Sequence, residues 1–310
     1  MGVMPGADQR GDGRTRLAAF VVNGTRMRGR GDLPGLIAAA ARAHGWPAPL
    51  VLATTVSDPG GGPTRAALAA GVTLVVAVGG DGTVRACAQE LAGTDVPLAI
   101  VPTGSANLIA RTMGVPRRLR AAVGVSFSGV DRRIDLVGVD DMIGAAMAGI
   151  GLDAAVVGAT RDQLKRRAGW PAYAAASLGK LLTEPTEFTI RLDAGPPLVR
   201  RARSVFVGNC GILPGGFPIL PAARPDDGIL DVGVLAPDGP AGWVSVGYRA
   251  ISGSRRDDER LVRYRARAVE VSAARPLPRQ VDGEIIPVGD RLSVRVLPGA
   301  LLVRAPRPAR

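Results

Sequence analysis

Residues 75–84 read VVAVGGDGTV, a run of apolar residues that leads into three glycines and then into a helix-forming sequence. The pattern predicts a buried strand over residues 73–78 and a helix over residues 83–91. The glycines let the backbone approach a polyphosphate and expose its N–H groups, and the helix N-terminus adds a partial positive charge. The segment therefore predicts a strand–turn–helix unit with a phosphate site at its turn, although the turn alone could be an ordinary connection.

The same alternation of strand and helix continues on both sides of this unit. Strands are predicted over residues 17–22, 49–53 and 97–101, and helices over residues 33–43, 64–70 and 106–113. Short, continuously apolar strands joined by helices are typical of parallel sheets that helices cover on both faces. We therefore predict a doubly wound α/β nucleotide-binding domain over residues 17–128, after a flexible tail at residues 1–16.

Beyond residue 128 the pattern changes to β-like segments that Gly, Pro and Asp clusters separate. Several of them alternate apolar and polar residues, as half-exposed antiparallel strands do. The prediction is a β-rich, sandwich-like second domain over residues 129–296, while a segment at about 297–305 packs back onto the first domain. The predicted elements are strands at 188–192, 204–208, 230–235, 268–272 and 292–296, and one long helix at 171–182.

Composition narrows the classes of function. The 310 residues are 46% hydrophobic, enough for a substantial core, and the net charge of +12 favours an anionic partner. Aromatic residues make up only 4%, which gives little material for base stacking, so we expect no nucleic-acid partner. Two cysteines and one histidine exclude a disulfide framework and a histidine-rich metal site. No signal peptide or membrane span is indicated, and the prediction is a cytoplasmic protein.

A second glycine-containing turn, TGSAN at residues 103–107, follows the next predicted strand. Because the carboxyl ends of parallel strands share one edge of the sheet, both turns are expected to face one crevice. Ser105 and Asn107 could then reach the same phosphates or the ribose, although Ser105 could equally be only a helix cap. Asp81 would repel a nucleotide unless it helped to hold a metal ion, which suggests magnesium and ATP.

Four motifs in order carry a family resemblance. They are GGDGT at 79–83, GSAN at 104–107, PAARPDDGILD at 221–231 and VDGE at 281–284. From residue 17 to about residue 304, the chain resembles the diacylglycerol kinase catalytic-domain family of bacterial lipid kinases and their sphingosine kinase relatives. The resemblance implies an α/β nucleotide-binding domain, a larger β-sandwich domain and an active site between them. It also implies transfer of a phosphoryl group from ATP to a lipid hydroxyl with Mg²⁺.

The resemblance also implies catalytic roles. Asp282 is the first choice for the base that accepts the hydroxyl proton, and Glu284 is the second choice, as base or metal partner. Asp81 would bind magnesium directly or through water. Without the resemblance, Asp282-Gly283 would be predicted as a hairpin turn between two strands.

The nucleotide site and a structural metal site are implied in the same way. Asp227 would bind a structural magnesium through its carboxylate, with carbonyl groups from Arg224 and Ile229; a solvated acidic turn is the alternative. The sequence departs from the family at Asn23-Gly24-Thr25, where Asn-Pro is usual, and at Leu108, where an acidic residue is usual. The implied nucleotide-binding residues are Asn23, Gly24, Thr25, Thr55 (with Thr54 as its rival), Gly79, Gly80, Asp81, Gly82, Thr83, Gly104, Ser105 and Asn107.

Two other functions would explain part of the same sequence. An NAD kinase would share the Gly-Gly-Asp-Gly-Thr turn, and a non-catalytic nucleotide or phosphate sensor would share the fold. Besides the lipid substrate, we expect transient contact with an anionic membrane surface, which would make the protein peripherally membrane-associated. A homodimer is left open. The basic residues that could make the membrane contact are Arg161, Lys165, Arg166, Arg167, Arg200, Arg201 and Arg203.

Overall fold

The computed structural model describes residues 16–27, 32–104, 106–151, 184–212, 219–252 and 258–307. Its N-terminal part is a parallel sheet in the spatial order β2-β1-β3-β4. The strands are β1 (Ala18–Val22), β2 (Leu50–Ala53), β3 (Leu74–Gly79) and β4 (Leu98–Pro102). The helices are α1 (Gly24–Met27), α2 (Leu33–Ala43), α3 (Gly61–Ala69), α4 (Asp81–Leu91), α5 (Leu108–Thr112) and α6 (Leu119–Ser128).

Burial explains why these segments form a parallel sheet. Every residue of β1, β3 and β4 is buried, as expected of central strands that helices cover on both faces. Helix α2 shows the local signals of a helix start, since the Asp32 carboxylate accepts the Gly35 N–H at 2.9 Å and Pro34 stands in its first turn. The predicted doubly wound α/β domain is confirmed.

The second part is β-rich and its strands pair antiparallel, which confirms the predicted fold class. Helix α7 (Gly239–Ser252) lies in the chain between Leu235 and Leu261, the ends of two neighbouring strands. The strands are β5 (Val130–Val139), β6 (Met142–Gly144), β7 (Met147–Gly151), β8 (Thr186–Leu192), β9 (Leu198–Ala202), β10 (Ser204–Gly208), β11 (Leu230–Leu235), β12 (Leu261–Ala266), β13 (Ala268–Val281) and β14 (Glu284–Ala305).

Helices α6 and α7 were missed by the sequence prediction. Both contain glycine and β-branched or small polar residues, which have low helix propensity. Tertiary packing overrides this propensity, because Val246 and Trp243 of α7 pack with Phe206 and Leu261. The predicted helix at 171–182 lies outside the described residues.

Strand β14 joins the two parts. Its first half pairs with β13, and near its end Val303 pairs with Leu98 of the parallel sheet. Arg304 adds a bidentate ion pair to Asp131 at 2.7 and 2.9 Å. Strand β14 therefore links the antiparallel strands to the amino-terminal end of β4 in the parallel sheet. Within the described ranges, no helix has the length and apolarity needed to cross a membrane.

Candidate active site

Backbone hydrogen bonds join the carboxyl ends of the central parallel strands. The N–H of Asn23, directly after β1, donates to the Val78 carbonyl at 2.9 Å, and the N–H of Thr103, after β4, donates to the Gly79 carbonyl at 2.9 Å. The structure thus brings the predicted residues after β1, β3 and β4 to one edge. This is the edge at which open α/β sheets bind ligands.

The turns after β3 and β4 pack so closely that Gly79 and Gly104 leave no room for a side chain. A Cβ atom at Gly79 would lie 2.5 Å from the Cβ of Thr83, and one at Gly104 would lie 2.6 Å from the Cα of Gly80. A Cβ at Gly82 would meet nothing within 4 Å. Gly80 caps α4 in an extended conformation without a side-chain hydrogen bond. The first N–H groups of α4 are thus oriented for an anion.

Asp81 links the two turns. Its carboxylate accepts the backbone N–H of Asn107 at 2.8 Å and that of Leu108 at 2.7 Å, so it satisfies the N-terminus of α5. Each carboxylate oxygen keeps a further lone pair that could accept another partner. Magnesium is usually held by one or two carboxylates together with substrate phosphates. Among the described residues no cluster of three or more His, Cys, Asp or Glu could hold a metal ion.

The remaining predicted nucleotide residues lie around this edge. Asn107 adopts a left-handed conformation, and its side-chain amide donates to the Gly104 carbonyl at 2.5 Å, closing its own turn. Thr55 is exposed and its hydroxyl accepts the Asp58 N–H at 3.0 Å. Gly24 and Thr25 are exposed in α1. Ser105 lies outside the described residues.

Asp282 occupies the corner of the hairpin between β13 and β14. Val281 pairs with Glu284, and both intervening residues have positive φ, 51° for Asp282 and 82° for Gly283. This is the two-residue turn that Asp-Gly favours, so the hairpin reading of the sequence was also correct. The Asp282 side chain nevertheless points inward and is only 7% exposed.

Three backbone N–H groups hold the Asp282 carboxylate. Ala145 donates to Oδ2 at 2.5 Å, while Ala146 and Met147 donate to Oδ1 at 2.7 and 2.9 Å. Burial raises the pKa of Asp282, and these hydrogen bonds together with the charge of Arg85 counteract the rise. A fixed carboxylate with a raised pKa is a better proton acceptor than a freely solvated aspartate.

Arg85 connects the two domains at this point. Its Nη2 pairs with the Oε2 of Glu284, the second predicted catalytic residue of the hairpin. The sequence prediction missed Arg85. Its position was nevertheless readable, because a residue four positions after Asp81 lies on the same face of a helix.

Cys210 is a buried free cysteine, and burial raises the pKa of its thiol to about 12. The contact that joins the two parts of the site is the Arg85–Glu284 pair. It places helix α4, which begins at Asp81, beside the hairpin that contains Asp282.

In the loop predicted to hold a structural magnesium, an arginine side chain pairs with the predicted carboxylate ligand. One oxygen of the Asp227 carboxylate accepts the Ile229 N–H at 3.2 Å, and the other pairs with Nη2 of Arg265. The Nε of Arg265 also lies 3.9 Å from an oxygen of Asp231. Arg265 therefore supplies a positive charge at the Asp227 carboxylate. The predicted ligation by Asp227 with the Arg224 and Ile229 carbonyls stays a prediction.

The residues predicted to contact a membrane are only partly within the described ranges. Arg200 and Arg201 are exposed on β9, whereas Arg203 donates through Nε to the Pro237 carbonyl at 3.0 Å. The basic residues between 161 and 167 lie outside the described part of the chain.

Comparison with known proteins identifies the family. Residues 26–139 match the diacylglycerol kinase catalytic domain, and residues 146–305 match the YegS C-terminal NAD kinase beta sandwich-like domain. A probable lipid kinase YegS-like from Pseudomonas fluorescens is 34% identical over 269 residues, covering 86% of this chain and 88% of the relative. A diacylglycerol kinase from Mycobacterium tuberculosis is 30% identical over 254 residues, covering 78% and 80%.

Solved structures agree with this relationship. A putative diacylglycerol kinase from Bacillus anthracis has a TM-score of 0.74 at 25% identity, covering 96% of this chain and 99% of its own. An NAD kinase from Archaeoglobus fulgidus has a TM-score of 0.50 at 14% identity, a likeness of fold alone. The two matched domains account for most of the described residues, and the two relatives cover 86% and 78% of the chain. This chain therefore belongs to the diacylglycerol kinase catalytic-domain family and is a YegS-like lipid kinase homologue.

Proposed function

We propose that this chain is an ATP- and Mg²⁺-dependent lipid kinase that transfers the γ-phosphoryl group of ATP to the hydroxyl of a diacylglycerol or sphingoid-like lipid. The observation that carries the proposal is the position of Asp282. Its buried carboxylate is fixed by three N–H groups in one domain. The same hairpin is joined through Glu284 to Arg85, on the helix that begins at the glycine turn of the other domain.

The donor nucleotide binds at the carboxyl edge of the parallel sheet in this proposal. The phosphates contact the N–H groups around Gly80 and Gly82 at the N-terminus of α4, where the helix dipole favours an anion. Asn23, Gly24 and Thr25 lie beside the phosphates, and Thr55 lies farther along the same edge. Bound magnesium would neutralise charge on the phosphate oxygens, with Asp81 as its protein ligand.

Asp282 is the proposed general base. The lipid hydroxyl gives its proton to an Asp282 carboxylate oxygen while the hydroxyl oxygen forms a bond to the γ-phosphorus. The bond from that phosphorus to the β–γ bridging oxygen breaks, and ADP leaves with the electron pair. Oδ2 is the better placed acceptor, since Oδ1 already receives two N–H groups and Oδ2 receives one. Glu284 keeps Arg85 oriented across the cleft.

The acceptor side implies a peripheral location. A hydroxyl of a lipid lies at the surface of a bilayer, so the proposed enzyme docks transiently on the cytoplasmic face. The net charge of +12 favours anionic lipids, and each basic residue near such a surface contributes about 1 kcal/mol. Arg200 and Arg201 on the exposed strand β9 are candidates for this contact.

The test is a phosphorylation assay with γ-labelled ATP, Mg²⁺ and an extracted-lipid panel, read by mass spectrometry. We expect label in a lipid of diacylglycerol, monoacylglycerol or sphingoid type, and no label when magnesium is removed. NAD is included as a competing acceptor, and Asp282→Asn is the catalytic control. Label that appears only in NAD, or only as free phosphate, would contradict the proposal.

A further inference from the structure

Arg85 is a buried cation with unused hydrogen-bonding capacity. Its residue exposure is 9%, and its Nε and Nη1 atoms are buried without a hydrogen-bond partner in the part of the chain that the structure describes. A guanidinium has five N–H donors in a fixed planar fork. Buried polar groups in folded proteins are nearly always paired. The unpaired donors therefore indicate an anionic ligand with several acceptor oxygens.

The position of Arg85 specifies where that ligand lies. Arg85 is one helical turn beyond Asp81 in α4, and α4 packs against β6 of the second domain. Directly after β6 come the N–H groups that hold Asp282. Arg85 thus lies between the glycine turn, where phosphates are proposed to bind, and the proposed base.

The surrounding charges require a cation at this place. Asp81, Asp282 and Glu284 bring three carboxylates toward the cleft, and these would repel a triphosphate. In the transition state of phosphoryl transfer, charge is spread over three equatorial oxygens, and an arginine fork matches two of them at once.

We propose that Arg85 binds the phosphoryl group in transfer, with oxygens of that group replacing Glu284 as its partner; this assignment rests on the proposed function. The Glu284 side chain is 55% exposed, so water solvates the carboxylate when Arg85 changes partner. Arg85 stays protonated throughout and only donates hydrogen bonds. The hydroxyl proton still passes to Asp282.

The test compares nucleotides that differ by the γ-phosphate. Binding of ADP and of a non-hydrolysable ATP analogue is measured by calorimetry for the unchanged chain, Arg85→Ala and Arg85→Lys. For Arg85→Ala we expect at least a tenfold loss of affinity for the analogue and less than a twofold change for ADP. Turnover should fall by about a thousandfold. Arg85→Lys keeps the charge without the fork and should recover part of both losses.

Arg133→Ala is the matched control. Arg133 also forms an ion pair with a carboxylate, that of Asp95, at 2.6 Å. Asp95 lies just before β4, at the amino-terminal edge of the parallel sheet, whereas the glycine turn lies at the carboxyl-terminal edge. Its variant should change neither nucleotide affinity nor turnover.

The outcomes separate the two proposals. An unchanged ratio of analogue to ADP affinity in both Arg85 variants, with turnover within tenfold, would overturn the assignment to Arg85 while leaving the kinase intact. Equal losses for both nucleotides, accompanied by a lower unfolding temperature, would also overturn it, because they would show a structural role. If the unchanged chain bound no ATP, the proposed function itself would fail and the assignment with it.

Discussion

The carboxylate of Asp81 accepts the backbone N–H of Asn107 at 2.8 Å, which ties the turn after β3 to the turn after β4. Asp81 therefore has a structural task as well as its predicted role toward magnesium. Removing the carboxylate leaves the first N–H groups of α5 without their side-chain partner. Mutation should affect both the stability of the domain and its chemistry.

We predict that Asp81→Ala lowers the free energy of unfolding by about 1–2 kcal/mol, the usual cost of losing a helix cap. Asp81→Asn should cost less, because its amide oxygen still accepts one N–H. Both variants should lower turnover by more than a hundredfold, since neither neutral side chain supplies the carboxylate charge that magnesium favours. Urea unfolding and the lipid phosphorylation assay measure the two effects.

Asp32→Ala is the control for Asp81. Asp32 also caps a helix, by accepting the Gly35 N–H at 2.9 Å, but it is not among the proposed site residues. Its removal should cost a similar free energy and leave turnover unchanged. Near-normal turnover in Asp81→Ala would refute a catalytic role for Asp81.

Gly104 tests the packing of the two turns. In Gly104→Ala, the new Cβ would lie 2.6 Å from the Cα of Gly80, a backbone atom that cannot move without displacing the phosphate turn. We expect a loss of about 1–3 kcal/mol in unfolding free energy, as for an overpacked core, and at least tenfold weaker ATP binding. Calorimetric titration with ATP and thermal unfolding check the two results.

The comparison for this variant is Gly124→Ala. Gly124 lies within α6, and a Cβ atom there would meet nothing within 4 Å. Alanine should stabilise the helix by about 0.5–1 kcal/mol and leave ATP affinity unchanged. Unaltered ATP binding in Gly104→Ala would mean that the turns can separate without consequence for the nucleotide.

Much of the fold was predictable because its strands are locally distinctive. The predicted strands at 204–208 and 230–235 coincide with β10 and β11, since each is rich in apolar residues and is buried throughout. Strand β13 extends to Val281, well past the predicted end at residue 272. Pro276 and Pro278 lie near its middle, and register shifts on either side of Leu277 accommodate them.

The site was predictable only in part, because its contacts are long-range. The glycine turn and the hairpin corner are visible as short motifs. The N–H groups that hold Asp282 carry no side-chain signal; they come from the pairing that places Val281 of β13 opposite Ala148 of β7. Arg85 was missed because its partner, Glu284, lies 199 residues later in the chain. Spacing within one motif cannot show such a pair.

Arg265 tests whether an arginine has taken the place of the predicted structural magnesium. In the unchanged chain, removal of Mg²⁺ with a chelator should leave the unfolding midpoint unchanged, because Arg265 already pairs with Asp227 and approaches Asp231. Arg265→Ala should lower the free energy of unfolding by about 1 kcal/mol, a modest value because Arg265 is half-exposed. Added Mg²⁺ should restore part of that loss, since the freed Asp227 carboxylate could then bind it.

A neighbouring ion pair supplies the control for Arg265. Arg132 pairs with Asp226 in the same loop at 2.8 Å, without contacting Asp227 in the described hydrogen bonds. Arg132→Ala should cost about 0.5 kcal/mol and show no recovery with Mg²⁺. A midpoint of the unchanged chain that drops on chelation would instead support the magnesium prediction for Asp227.

Replacing Asp282 by Asn should remove most of the catalytic activity while leaving the fold nearly unchanged. In Asp282→Asn, the amide oxygen can still accept N–H groups. The amide nitrogen, however, places its own N–H groups against the N–H of Ala145, so this hydrogen bond is lost. We expect turnover to fall by about a hundredfold to ten-thousandfold, the range of a lost general base, with ATP affinity changed less than threefold. Asp282→Ala should also destabilise the fold, since three buried N–H groups lose their acceptor.

Asp193 provides the matched comparison for Asp282. It is also a turn residue with positive φ, at 51°, and its carboxylate accepts the N–H groups of Arg267 and Ala268 at 2.8 and 2.9 Å. It follows β8, away from the glycine turn, and its carboxylate is exposed. Asp193→Asn should therefore preserve turnover. If Asp282→Asn turned over as fast as Asp193→Asn, the base would have to be another group, and Glu284 would be the next residue to replace.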